Sequence, residues 1–138
     1  MIESVIQGIA DKLDAAFGPE CRVYGNYVSQ NLETPCFLIN PVNPRREQQL
    51  GSREARLYPF DVVYMPAAAD REELFRTAEK LLLELRIIQT AAAGALRGKD
   101  MNFNITDGVL HFLVTYDFSV CETKEIENPM EGLAMKGV

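Results

Sequence analysis

The sequence predicts an α+β fold: a mostly antiparallel β-sheet with two amphipathic α-helices packed on one face, plus a long β-hairpin arm. Three observations carry this. Two segments place apolar residues at three- and four-residue spacings, as one face of a helix requires. Two others, 53–65 and 101–121, alternate apolar and polar residues, as half-buried strands do. The second of these contains Asp107-Gly108, a favoured two-residue hairpin turn. Helices with one apolar stripe and a sheet with one apolar face satisfy each other by packing in two layers.

The first helix spans residues 2–17. Ile2, Val5, Ile6, Ile9, Leu13, Ala16 and Phe17 form its stripe, with Glu3, Lys12 and Asp14 off it. Gly18-Pro19 stops it, because glycine suits a left-handed cap and proline cannot continue the helix. Cys21–Val28 reads as a short strand and Ser29-Gln30-Asn31 as a polar connection. Pro35–Ile39 is continuously apolar, as in a strand covered on both faces. Asn40–Gly51 turns polar and carries Pro41 and Pro44, which predicts the outgoing half of a hairpin arm turning near Leu50-Gly51-Ser52.

The return strand is Arg53–Met65. Tyr58, Phe60, Val62 and Tyr64 form one apolar row, against the mixed row Leu57, Pro59, Asp61 and Val63. Pro59 cannot donate to a ladder, so an edge or a bulge is expected there. Pro66 ends the strand. Asp70 is the expected N-cap of the second helix, with Glu73 completing a capping box. Leu74, Ala78, Leu81, Leu82, Leu85 and Ile88 make its stripe, widened by Phe75, and Ala91–Gly94 is a small-residue connection.

A two-residue turn at Asp107-Gly108 pairs Thr106 with Val109. Ile105 then faces Leu110, Phe103 faces Phe112 and Met101 faces Val114. Tyr116, Phe118 and Val120 continue the same row, and a slip of one residue would turn it to the other face. From Glu122 onward, four Glu, two Lys and scattered apolar residues show no periodicity. The expected organisation is one α+β domain over residues 1–121 and a C-terminal tail over 122–138, exposed or docked on a partner.

Composition narrows the function. The 138 residues carry 14 Lys plus Arg against 20 Asp plus Glu, a formal charge of −6. This disfavours general binding to nucleic acid or membrane surfaces. No apolar run approaches the roughly 18 residues of a membrane span, and no signal peptide is evident. Cys21, Cys36 and Cys121 have no CxxC spacing and read as reduced, structural thiols. With one histidine, His111, no metal or cofactor site is expected. No GxSxG, GxGxxG or GxxxxGK[ST] occurs, and no catalytic residue is assigned. Arg45, Arg46, Arg53 and Arg56 concentrate charge on the arm and are the candidate partner interface. Ile126, Met130 and Leu133 are candidate contacts of the tail.

Taken together, the segments resemble the phage tail terminator family of tailed phages and phage-like particles of Gram-positive bacteria. The resemblance rests on the opening helix ending in Phe17-Gly18, on Glu33–Ile39, Leu50–Arg53, Tyr58–Val62 and Tyr64–Pro66, and above all on Asp107–Phe112 followed by Val114 and Tyr116. It implies a non-enzymatic virion protein that forms a homo-hexameric ring at the head-proximal end of the tail tube and stops tube growth. Its partners would be itself, the tube protein, a neck or head-completion protein and, in contractile relatives, the last sheath ring. DNA would meet it only in transit through the channel. It would act in the virion tail after assembly in the host cytoplasm, away from membranes. A head–tail connector or tail-completion protein is the alternative. A small-molecule-binding or enzymatic cytoplasmic domain is a further one, and His111 and Cys121 are the residues to test for it.

Overall fold

A computed structural model describes residues 1–25 and 32–121. The expected element order holds with additions: α1 (Ile2–Phe17), β1 (Arg22–Tyr24), β2 (Cys36–Pro41), β3 (Arg45–Gln48), β4 (Arg53–Met65), α2 (Arg71–Glu84), β5 (Ile87–Thr90), β6 (Gly94–Thr106) and β7 (Val109–Cys121). The strands run β1-β2-β4-β7-β6-β5, with β3 also paired to β4. Among the described residues, only the β1–β2 pair is parallel.

α1 ends as its sequence requires. Gly18 adopts φ 81° and donates its N–H to the Asp14 carbonyl. Asp70 caps α2 by accepting from the N–H groups of Glu72 and Glu73, but the reciprocal half of the capping box is absent. Glu73 instead accepts a hydrogen bond from the Tyr64 hydroxyl of β4, which ties the helix to the sheet. Tyr58, Phe60, Val62 and Tyr64 are buried, as are Leu110, Phe112, Val114 and Tyr116 on β7. They meet Val5, Ile9 and Leu13 of α1 and Leu74, Ala78 and Leu81 of α2 in one core. Cys21 and Cys36 are free thiols in the interior.

Three sequence expectations are corrected. Ile88 does not extend the α2 stripe. The helix ends at Glu84, and Ile88 lies on β5 opposite Leu96. The chain after Ala91–Ala93 is no mere connection, because Gly94 opens a strand that continues to Thr106. Met101 does not face Val114. The turn-proximal register holds from Thr106↔Val109 to Asn102↔Leu113, then shifts by one, so that Lys99 faces Thr115 and Gly98 faces Tyr116. Asp100, at φ 55°, occupies the bulge. The bulge puts a glycine where crowding demands one: a Cβ on Gly98 would stand 2.7 Å from the Leu85 carbonyl oxygen and 2.9 Å from Val114.

The expected edge or bulge at Pro59 is also corrected: the residue sits in an internal strand, between β2 and β3 on one side and in unbroken register with β7 on the other. Its carbonyl accepts from Val42 N–H. A strand residue points its N and C=O to the same edge. The missing donor therefore faces the gap between Pro41 and Arg45, where the neighbouring ladder is interrupted.

The sheet is curled. α1 touches strands at both ends of the strand order. Phe17 packs against Phe37 of β2 with ring centroids 4.9 Å apart and planes tilted by 56°, and Ile6 approaches Gly25 beside β1. On the other side Gly8 lies against β5, where an added Cβ would stand 2.6 Å from the Gln89 carbonyl. Ser4 Oγ accepts from Ala92 N–H. α1 thus bridges the two ends of the sheet, and α2 fills the space beside it. Lys80 of α2 donates to the Ala16 carbonyl at the end of α1.

Candidate interaction surface

The arm is a three-stranded ribbon. β3 and the first half of β4 make the expected hairpin, and β7 extends alongside as far as Arg53↔Cys121. Gln49 N–H donates to the Arg53 carbonyl, and Gly51 takes φ 70° in the turn. Leu50, at the tip, is 93% exposed. Residues 45–48 show all four side chains to solvent.

Register divides the four arginines between two faces. Directly opposed residues of an antiparallel pair share a face. Arg46 opposes Arg56 and Gln48 opposes Glu54, on the face that continues the core row Tyr58–Tyr64. Arg45 opposes Leu57, and with Arg53 belongs to the outer face. Arg46 and Arg56 are like charges in direct opposition, an unfavourable arrangement that Glu54 between them offsets. Its carboxylate lies 2.6 Å from Arg56 Nε and 3.6 Å from Arg46. Glu54, and secondarily the Tyr58 hydroxyl, push the Arg56 pKa above its ordinary value. Arg45 is 3.8 Å from Glu47.

Where the ladder breaks, Pro44, Arg45, Arg46, Arg56 and Tyr58 line an open cleft of about 300 Å³. Tyr58 is held edge-on to Phe118 of β7, centroids 5.4 Å apart. The cleft therefore combines guanidinium donors with an aromatic floor. It suits an acidic, extended segment, because guanidinium groups bind carboxylates in a planar fork. Sequence reasoning singled out the arginines and saw Glu47 and Glu54 interrupting them, but missed Tyr58 and Pro44 as their setting. Hairpin parity was the signal that could have found them.

His111 lies on the opposite face, as its odd position predicts. Its Nδ1 is 3.0 Å from Asp61 Oδ2. The other carboxylate oxygen of Asp61 is buried with no hydrogen-bond partner among the described residues. Cys121 is ten residues further along the same strand, roughly 33 Å away at about 3.3 Å per residue, so the two cannot act together. Burial raises the Cys21 thiol to about 11 and also raises that of Cys36, as inert interior thiols require. Among the described residues no group of three or more His, Cys, Asp and Glu could hold a metal. No described helix is long and apolar enough to cross a membrane. Ile126, Met130 and Leu133 lie outside the described residues.

No curated protein matches the chain. A family model described as phage tail terminator protein matches residues 4–128. That span takes in α1 from Ser4 onward, α2, the seven described strands and the arm. The chain belongs to the phage tail terminator family, a structural component of the phage tail.

Proposed function

We propose that this protein closes the head-proximal end of the tail tube as a homo-hexameric ring, stops addition of tube subunits and presents its other face to the neck or head-completion protein. The family match over residues 4–128 is the observation that carries this reading. The arm supports it. Strands β3, β4 and β7 project an exposed hairpin tip with Leu50 at its end, and exposed strand edges are natural joints between subunits. Identical subunits joined head to tail close into a ring when the rotation closes. Residues 1–121 serve as the ring-forming body and residues 122–138 as a docking tail. The arginines Arg45, Arg46, Arg53 and Arg56 contact an adjacent subunit, the tube or, in a contractile tail, the sheath. A net charge of −6 suits a channel through which DNA must pass without being held. A capping role needs two contact surfaces and no catalytic centre, in keeping with a structural family.

The test is the tail-length distribution in negative-stain micrographs, with and without the gene. Overlong tubes of variable length without heads in its absence establish the capping role. Headless tails of uniform, normal length would move the protein to the neck as a connector or completion protein.

A further inference from the structure

We infer that residues 122–131 of one copy dock on the arginine cleft of a neighbouring copy's arm. This rests on the self-assembly part of the proposed function and names the contact that joins the copies.

Charge comes first. Between Arg45 and Arg56 the arm carries four arginines and two glutamates, a local +2 in a chain of −6. Between Glu122 and Glu131 the chain carries four glutamates and one lysine, a local −3. Both internal counter-ions of the cleft are used on its own arginines: Glu54 serves Arg46 and Arg56, and Glu47 serves Arg45. Two acids among three guanidinium groups leave net positive charge beside Tyr58 and Pro44. The side chains of Arg45 and Arg46 remain 54% and 72% exposed.

Position comes second. β7 carries the chain to the arm tip, where Cys121 opposes Arg53. The first turn signal after that point is Asn128-Pro129. The chain thus leaves the described sheet at the tip, three residues beyond Phe118, which opposes Arg56. Six residues can span up to roughly 20 Å, enough to reach the arm of another copy. In an extended segment Glu125 and Glu127 share one face, about 7 Å apart. That spacing lets two carboxylates meet the opposed pair Arg46 and Arg56. The family match also extends past the last strand, to residue 128. One tail per copy placed on one arm per copy is a head-to-tail contact, the kind that generates rings.

The decisive experiment uses the full-length chain with Arg46→Cys and Glu125→Cys in a Cys121→Ser background. Cys21 and Cys36 are buried and do not compete. Under oxidised glutathione the expected product is a ladder of covalently linked copies on a non-reducing gel. Raising salt from about 0.1 M to about 1 M shortens the screening length from about 10 Å to about 3 Å and should reduce the ladder. Adding Glu127→Lys should lower the linked fraction several-fold, and Arg56→Glu in the same chain should restore it. A linked monomer with no ladder overturns docking between copies, and no link under any condition overturns the contact altogether. Retention of duplex DNA by the wild-type chain, together with no link in the two-cysteine chain, would assign the arginines to a phosphate backbone instead. Tail length in the gene-deleted particle is a separate readout. Normal tails together with a clear ladder would reject the capping role and leave this contact standing.

Discussion

Replacing Tyr116 by Phe tests how α2 is anchored to the sheet. Tyr116 is fully buried, and its hydroxyl donates to the Leu85 carbonyl at 2.7 Å. Leu85 is the C-cap of α2, and its own N–H is used on Leu81. The carbonyls of a last helical turn have no intrahelical partner, so this hydroxyl satisfies one of them from the sheet. Tyr116→Phe keeps the ring and its packing beside Phe60, 6.4 Å away between centroids, and removes only the donor. The stranded carbonyl costs about 1–3 kcal/mol. For a chain of this size each kcal/mol moves the melting temperature by about 3–5 °C, so a drop of roughly 3–15 °C is expected. Urea unfolding followed by far-UV circular dichroism should show a lower midpoint at an unchanged slope. A loss below about 0.5 kcal/mol at constant slope would refute the reasoning, because the carbonyl would then have found another partner at no cost.

Other outcomes follow from the same geometry. Gly8→Ala places a Cβ 2.6 Å from the Gln89 carbonyl and should destabilise by about 1–3 kcal/mol; wild-type stability by urea titration would show that α1 does not lie tightly against β5. Cys21, its thiol raised to about 11 by burial, should stay unalkylated by iodoacetamide near neutral pH until the fold is opened by urea. Mass spectrometry of the native protein checks this, and rapid native labelling at Cys21 would contradict it. Changing Arg45, Arg46, Arg53 and Arg56 together to Glu should block tail capping while circular dichroism stays native. Capped tails of normal length from this variant would remove the arm from the interface.

Much of this fold is legible before any coordinates. The boundaries of α1 follow from its stripe and Gly18, the start of α2 from Asp70, and β4 from its alternating row closed by Pro66. The Asp107-Gly108 turn dictates the register as far as Asn102↔Leu113. These signals are local: a cap, a turn or a period acts within a few residues. The family, too, is legible in the ensemble of such segments, and the match over residues 4–128 agrees. What tertiary structure decided is non-local. Ile88 keeps helical spacing from Leu85, yet it becomes β5 because β6 offers a ladder and α1 presses Gly8 against the next residue, Gln89. Glu73 abandons its capping box because Tyr64, nine residues away, brings a hydroxyl to it. The bulge at Asp100 accommodates α2 packing on Gly98. The arginines, adjacent in sequence terms, separate onto two faces because strand pairing, not proximity along the chain, sets which side chains meet. The sequence by itself determined both helices, β2, β4, the arm hairpin and the Asp107-Gly108 hairpin, with their apolar faces, but not β5 or the first half of β6. Curling the sheet under α1 and assembling the arm's cleft needed contacts between residues tens of positions apart, which no local pattern encodes.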